Sequence, residues 1–310
     1  MSVTVVGSLN EDVLVAVERL PGRGETVVGR DAVLAPGGKG ANQAAAAGRL
    51  SGEGGGVVMV GRVGDDPAGG RQLAALAEAG VDTDGVRRTP GTPTGSATIP
   101  VEDGSGENLI VVVPGANAAL TPADVDLPAV RQAAVVLLQL EVPLETVRAA
   151  VDAASGTVVL TPAPPRSLPP ELLARVAVLV PNEHELVQLA GADPGTRGPA
   201  ELAALARTLG VPVVVVTLGA RGALVVPADG PAALQAPPRV RAVDTTGAGD
   251  CFTGALGTAL ARGAGPADAV REAVAAAALS TTGPGARGAL PDARAVRDVL
   301  GGVPAAVPVG

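Results

Sequence analysis

Short runs of valine and leucine recur along the chain, separated by alanine- and leucine-rich segments of helical spacing. This alternation limits the possible folds more than any other feature. The runs Val3–Val6, Val57–Val60, Val135–Leu138, Val158–Leu160, Val178–Val180 and Val213–Thr217 are too short for helices and apolar on both faces, as strands of a buried parallel sheet must be. Between them, Ala41–Leu50, Arg71–Ala79, Leu144–Ala154, Glu183–Ala190 and Ala200–Leu209 carry helical periodicity. Strand followed by helix, repeated, predicts an α/β fold with a mainly parallel sheet sandwiched by helices. The rhythm runs from Val3 to Val299 without a break in composition, so a single domain over residues 1–310 is expected.

Two stretches interrupt the rhythm. Thr94–Pro100 and Asn108–Val113 flank the turn-rich segment 102–107, a hairpin signal with no helix between. Val13–Val17 and Thr26–Leu34 look alike, so the excursions at about 13–34 and 94–113 are expected to combine into a small antiparallel sheet serving as a lid. A flexible connector is expected at 52–56, a rigid Pro-rich loop at Thr161–Pro170 and a loosely held tail at 301–310.

Composition removes several function classes. Phe252 is the only aromatic, and 31 acidic against 23 basic residues give a net charge of −8; a nucleic-acid binder needs a basic surface and usually stacking platforms. One cysteine, Cys251, and one histidine, His184, leave no internal disulfide and no Cys/His zinc cage. The N-terminus lacks a basic signal-like region, and no run of 18 uncharged apolar residues occurs, so a cytoplasmic protein with no membrane partner is expected.

Chemistry is suggested where glycine opens a helix. In Val243-Asp244-Thr245-Thr246-Gly247-Ala248-Gly249-Asp250, small residues precede the helical segment Thr253–Ala261. The amides of Gly247, Ala248 and Gly249 would be unpaired at the positive end of the helix, a site for an anion. Asp250, in the same turn, could accept a proton beside that anion hole. The alternative is an ordinary helix start, for which Asp and Gly are common. Pro36-Gly37-Gly38-Lys39-Gly40-Ala41-Asn42-Gln43 also opens a helix, but it is not a Walker A loop: the glycine that motif needs ahead of its Gly-Lys is missing, and Gly40 stands where it has Ser or Thr. Asn10 and Asp12 are placed at the carboxyl end of the first strand, and Glu141 ends another strand in the same way. Such positions face ligands in open α/β sheets, and carboxylates and amides suit a polyhydroxylated one; capping or pairing within the fold is the competing role. Asn182 and Glu185 form a capping box, with His184 solvated between them. Thr217-Leu218-Gly219-Ala220-Arg221-Gly222 reads as a tight turn.

Taken together and in order, these segments resemble the family of ribokinase-like sugar and nucleoside kinases. The resemblance covers nearly the whole chain: Val5–Asp12, Gly37–Leu50, the stretch containing Gly115-Ala116-Asn117-Ala118-Ala119-Leu120, Leu138–Pro143, Pro181–Glu185, Thr217–Gly222, Val243–Phe252 and Ala275–Gly288. Asp-Thr-x-Gly-Ala-Gly-Asp marks the family at large, whereas Gly-Gly-Lys-Gly-Ala-Asn-Gln and Gln-Leu-Glu point to its ribose-phosphorylating branch. The resemblance implies a sugar held by Asn10, Asp12, Gly38, Lys39, Asn42, Glu141 and Asp250. It places ATP along Thr217, Gly219 and Gly222, with Asn182 and Gly249, and in the Ala275–Gly283 region. It makes Asp250 the base and Gly247, Ala248 and Gly249 the anion hole. Mg2+ would be held through water near Glu185, and K+ near Asp244, Thr246, Ser280, Gly283 and Gly285. The lid would close over the sugar and join a homodimer. Departures from the family pattern are Val274 in the expected adenine region, His184 in the Asn-x-x-Glu turn and Thr161 before Pro-Ala-Pro.

The implied reaction is ATP-dependent phosphorylation of the 5-hydroxyl of D-ribose, giving D-ribose 5-phosphate and ADP. Its rivals are another kinase of the family acting on deoxyribose, fructose or adenosine, and a catalytically silent sugar or nucleotide sensor. A sensor has no need of a base beside a phosphoryl site. A dehydrogenase would need a glycine fingerprint after the first strand, which is missing.

Overall fold

Because strand side chains alternate, a strand apolar at every position must be covered on both faces, and the helices of this chain provide that cover. The computed structural model describes residues 2–52, 55–105, 107–195 and 197–309. Its strands are β1 (Val3–Val6), β2 (Asn10–Val17), β3 (Gly29–Gly37), β4 (Val57–Gly64), β5 (Val81–Thr89), β6 (Gly95–Glu102), β7 (Val111–Val113), β8 (Val135–Leu138), β9 (Thr157–Leu160), β10 (Val178–Leu179), β11 (Val213–Thr217), β12 (Ala223–Pro227), β13 (Ala232–Gln235) and β14 (Val307–Val309).

The main sheet has ten strands in the order β14-β13-β12-β11-β10-β9-β8-β1-β4-β5. From β11 to β5 each neighbouring pair is parallel, and β12 to β14 add an antiparallel edge. Val5, Leu137, Val159 and Val215 pack into a core with the helices Lys39–Ser51, Ala248–Ala261 and Pro266–Ser280. Their neighbours Val6, Leu138, Leu160 and Val216 pack on the opposite face against Val147, Leu186 and Leu202. Phe252, the one aromatic, is buried in the first of these cores. Among the described residues no helix is long and apolar enough to cross a membrane.

The two excursions do combine into one four-stranded sheet, β3-β2-β6-β7. Its outer pairs are antiparallel, but the pair that joins the excursions, β2 and β6, is parallel, so the sheet is mixed rather than antiparallel throughout. The excursions follow β1 and β5, which run in the same direction on either side of β4, so β2 and β6 set out alike. Asn10 and Asp12 require a related correction: β1 ends at Val6, and both residues lie on β2, the first strand of the small sheet. The tail also differs from expectation, since Val307–Val309 pairs with β13 and extends the main sheet. Glu53 and Gly54 of the expected connector, Gly106 of the hairpin turn and Gly310 of the tail lie outside the described residues.

Candidate active site

Two helices that touch at glycine bring the separate motifs together. A Cβ on Gly254 would lie 2.6 Å from the Gln43 carbonyl and 2.8 Å from the Ala46 side chain. The absence of one lets helix Ala248–Ala261 press directly on helix Lys39–Ser51. As a result Asn42 Nδ2 donates to Asp250 Oδ2 at 3.0 Å and Gln43 Nε2 donates to Asp250 Oδ1 at 3.3 Å. Gln139 Nε2 donates to Gln43 Oε1 at 2.7 Å, which fixes how the Gln43 amide faces the carboxylate. Asp250, 8% exposed, is thereby aimed by both of its oxygens.

The helix behind Asp250 begins without a side-chain cap. Gly247 adopts φ 73°, and a Cβ there would lie 2.7 Å from that of Ala286, so both backbone and space call for glycine. The expected anion hole is corrected at one position: the Ala248 amide donates to the Thr245 carbonyl at 3.2 Å. Among the described residues, the amides of Gly247, Gly249 and Asp250 have no such partner. They open on a cavity of about 140 Å³ lined also by Lys39, Asn182, Glu185, Thr217, Thr161 and Thr253. Lys39 therefore faces the space between Asp250 and Glu185, and the carboxylates of Asp250, Glu141, Glu185 and Asp12 raise its pKa above the ordinary lysine value.

Ahead of helix Lys39–Ser51, Gly38 has φ 87°, and its missing side chain admits the Asn10 amide, which a Cβ would approach to 2.7 Å. The Lys39 amide donates to Glu141 Oε2 at 3.1 Å, and the Ser8 hydroxyl donates to the same oxygen. Asn10 is buried, its Oδ1 accepting from Asn117 Nδ2 at 2.7 Å. The Asp12 carboxylate accepts no hydrogen bond among the described residues; burial and the Glu141 carboxylate push it up to about 6, against the Arg287 and Lys39 charges.

Across the cavity, Asn182 Oδ1 accepts from the Glu185 amide and Glu185 Oε2 accepts from the Asn182 amide, both at 2.8 Å. Burial raises Glu185 above its ordinary value despite that bond. His184 is exposed. Gly219 and Gly222, both at positive φ, turn the chain between β11 and β12. The Ala275–Gly283 assignment needs correction at its start: Val274, Ala275 and Ala276 are buried in the core against the sheet, so the departure at Val274 falls on packing. Nearby, Val243 is 65% exposed, an apolar surface without a sequence signal of its own.

Asp244 pins two loops together, Oδ1 accepting from the Thr246 amide and Oδ2 from the Gly285 amide, each at 2.8 Å. Against the cost of burial, these bonds hold its carboxyl below the ordinary value. The carbonyls of Thr246, Gly283 and Gly285 accept no hydrogen bond among the described residues, a donor set suited to a monovalent cation. The Ser280 hydroxyl instead donates to the Ala277 carbonyl at 2.8 Å, leaving its backbone carbonyl as the possible ligand. No cluster of three or more His, Cys, Asp or Glu able to hold a metal occurs among the described residues.

Gln43, Gln139, Asn117 and Arg287 were given no role by sequence reasoning. Gln43 and Gln139 stand inside motifs that carried the resemblance, and Asn117 inside another, but the partners they hold are 96 or more residues away. Arg287 stands inside the Ala275–Gly288 segment, where only backbone roles were read.

A carboxylate oriented beside free amides at a helix start, with the buried Asn10 and the Asp12 and Glu141 carboxylates on one side and a glycine turn on the other, suits phosphoryl transfer to an alcohol. The family comparison agrees: residues 1–293 match the pfkB family carbohydrate kinase model, and the chain belongs to that family. It is a carbohydrate phosphotransferase of the ribokinase type. The Arabidopsis thaliana ribokinase is 37% identical over 307 residues, covering 96% of this chain and 80% of that one. Its structure, complexed with ribose and ATP, superimposes with a TM-score of 0.84 at 35% identity, covering 96% of this chain and 98% of that one. The Thermotoga maritima ribokinase structure gives a TM-score of 0.88 at 34% identity over 97% and 99% of the two chains. A deoxyribokinase of Salmonella typhi is 35% identical over 97% of this chain and 99% of its own length.

Proposed function

We propose that the chain is a single kinase domain that transfers the γ-phosphoryl group of ATP to the 5-hydroxyl of D-ribose, giving D-ribose 5-phosphate and ADP. The observation that carries the reading is the double hold of Asn42 and Gln43 on Asp250 beside the free amides of Gly249 and Asp250. Asp250 takes the hydroxyl proton as the oxygen attacks phosphorus in line and the bond to ADP breaks. The amides and the Lys39 ammonium meet the charge on the transferring group. Asp12, Glu141 and Asn10 grip the sugar hydroxyls, and the exposed Val243 offers the adenine an apolar surface.

Asn182 and Glu185 would hold, through water, the Mg2+ that accompanies ATP, and the ion would supply charge neutralisation of the β- and γ-phosphates. The Thr246, Gly283 and Gly285 carbonyls, with that of Ser280 and the carboxylate of Asp244, would hold K+, which would stiffen the loop that presents the amides. The small sheet closes over the sugar as a lid. Its exposed Val33, Leu34, Ile110, Val111 and Val113 suit burial against the lid of a second copy, and the setting is the cytoplasm.

A second reading, phosphorylation of 2-deoxy-D-ribose, is favoured by the deoxyribokinase relative. ATP consumption measured with a panel of pentoses, hexoses and nucleosides tests both. Ribose is expected to exceed 2-deoxyribose in kcat/KM, because a missing hydroxyl leaves buried polar groups unpaired. An equal or reversed preference overturns the ribose assignment, and turnover with nucleosides alone overturns the sugar assignment.

A further inference from the structure

Arg287 lies two residues beyond Gly285, and its guanidinium reaches back into the sugar side of the cleft. Nε donates to Asn42 Oδ1 at 2.9 Å, and Nη2 donates to the Gly37 carbonyl at 3.2 Å and to Gln72 Oε1 at 3.4 Å. Gln72 in turn donates to the Asn10 carbonyl. All three acceptors of Arg287 are neutral, and no carboxylate lies within ion-pair distance of the guanidinium among the described residues. Nη1 is sealed from solvent and has no hydrogen-bond partner. A buried cationic N–H group left unpaired is costly, and such groups in folded proteins call for an explanation.

The polar valences around this guanidinium indicate what would complete it. Asn42 gives its Nδ2 to Asp250 and one lone pair of its Oδ1 to Arg287. Asp12 has both carboxylate oxygens free, and its charge and that of Arg287 act on one another. The side chains thus leave acceptors on Asp12 and donors on Nη1. A hydroxyl group satisfies both at once, giving its hydrogen to the carboxylate and its oxygen to the guanidinium. An anionic substituent would satisfy Nη1 but would face Asp12, Glu141 and Asp250 together, and like charges in a desolvated site repel strongly. Burial pushes Arg287 down to about 10, against the pull of Asp12 and Asp250, so the group remains cationic at neutral pH.

We infer that Arg287 is a sugar-contacting, specificity-determining residue whose Nη1 donates to one hydroxyl oxygen of a neutral sugar. The inference rests on the reading of this cleft as the sugar site. Its network also runs from Asn10 through Gln72 and Arg287 to Asn42 and Asp250, so the same side chain ties the small sheet to the base.

The test is a cycle of two changes. Steady-state kinetics with D-ribose and its 1-deoxy, 2-deoxy and 3-deoxy analogues are compared between the wild-type enzyme and Arg287→Gln, with Arg287→Lys carried through the same cycle and thermal melting recorded for each. With D-ribose, Arg287→Gln is expected to raise KM by about 10- to 100-fold while changing the KM for ATP little. With the one analogue lacking the contacted hydroxyl, wild type and variant should differ by less than about threefold, because the interaction is already gone. The same loss for every sugar, or a fall in kcat at unchanged KM, would overturn the assignment and leave Arg287 a scaffold residue. If Arg287→Gln does not fold, the Arg287→Lys cycle decides by the same criterion. Failure of the ribose reading appears separately, in the wild-type enzyme alone, and the cycle is then run with the preferred sugar and its own monodeoxy analogues.

Discussion

Helices Glu183–Leu189 and Ala248–Ala261 open onto the same cavity and treat their unpaired amides in opposite ways. The first is closed upon itself: Asn182 and Glu185 satisfy each other's amides with side chains three residues apart. The second has no side-chain cap, a glycine at φ 73° in the cap position, and amides that face open space. Its one carboxylate is held by donors from a different helix, more than 200 residues away in sequence. A self-capped start contributes stability and can only lend an outer face to a ligand. An open start leaves the first turn free to bind charge that arrives with the substrate. The contrast separates what the fold needs locally from what the reaction needs.

The sharpest way to break the contrast is at Asp250. Asp250→Asn keeps the size and the contact with Asn42 but removes the proton acceptor, so kcat is expected to fall by about 10²–10⁴ while calorimetry finds sugar and ATP still bound. Near-normal turnover would remove Asp250 as the base. Gly247→Ala attacks the backbone instead: with φ at 73° and Ala286 in the way, the amides must shift, and a displacement of about 1 Å costs on the order of 10²-fold in rate. Steady-state kinetics check it, and an unchanged kcat would show that the open amides are idle.

The cation loop sharpens the comparison further, because only the open start leans on it. At fixed ionic strength and saturating magnesium, replacing K+ by a bulky organic cation is expected to slow turnover by about 10- to 10²-fold without unfolding the protein. Identical rates with K+, Na+ and the organic cation would contradict the carbonyl site.

Asp12 extends the contrast to the cleft, as a carboxylate with no partner of its own. Burial raises its pKa to about 6 from the 3.8 of a free Asp carboxyl, so KM for the sugar should rise about tenfold per pH unit below 6 as protonation removes the acceptor. The folded chain binds this proton between those two values and the unfolded chain does not. Stability therefore rises as pH falls from 6 toward 4, and Asp12→Asn should melt higher than wild type at pH 7. A pH-independent KM would show that Asp12 does not meet the sugar. The smallest effect belongs to the closed start: Asn182→Ala should cost about 1 kcal/mol in denaturant unfolding, and no loss would mean that the capping box is not what holds that helix.

How legible each part was follows from how local its cause is. The strands from Val3–Val6 to Val213–Thr217 were readable because a buried parallel strand is apolar at every position, and the Asn182 capping box because its partners stand three residues apart. The Gly247–Asp250 start was readable as a candidate for the same reason. Gln43 and Gln139 gave no such signal, since their effect on Asp250 exists only after Gly254 lets two helices touch. Strand β14 was missed because Val307–Val309 is short and mostly exposed, so its place depends on an edge of β13 set elsewhere. The parallel pairing of β2 with β6 was hidden for a similar reason. Residues 10–17 and 95–102 carry no mark of which way they run past one another, and the order of the parent strands decides it.

The most direct measurement is a crystal structure of the enzyme with D-ribose, ADP, magnesium and aluminium fluoride, the planar fluoride standing for the transferring phosphoryl group. The expected result places it between Asp250 and the β-phosphate, its fluorines within hydrogen-bond distance of the Gly249 and Asp250 amides, with the 5-hydroxyl on the Asp250 carboxylate. A fluoride bound at the Glu183–Leu189 helix start, with Asp250 out of contact with the hydroxyl, would contradict the assignment of the open helix start as the place where phosphoryl is transferred.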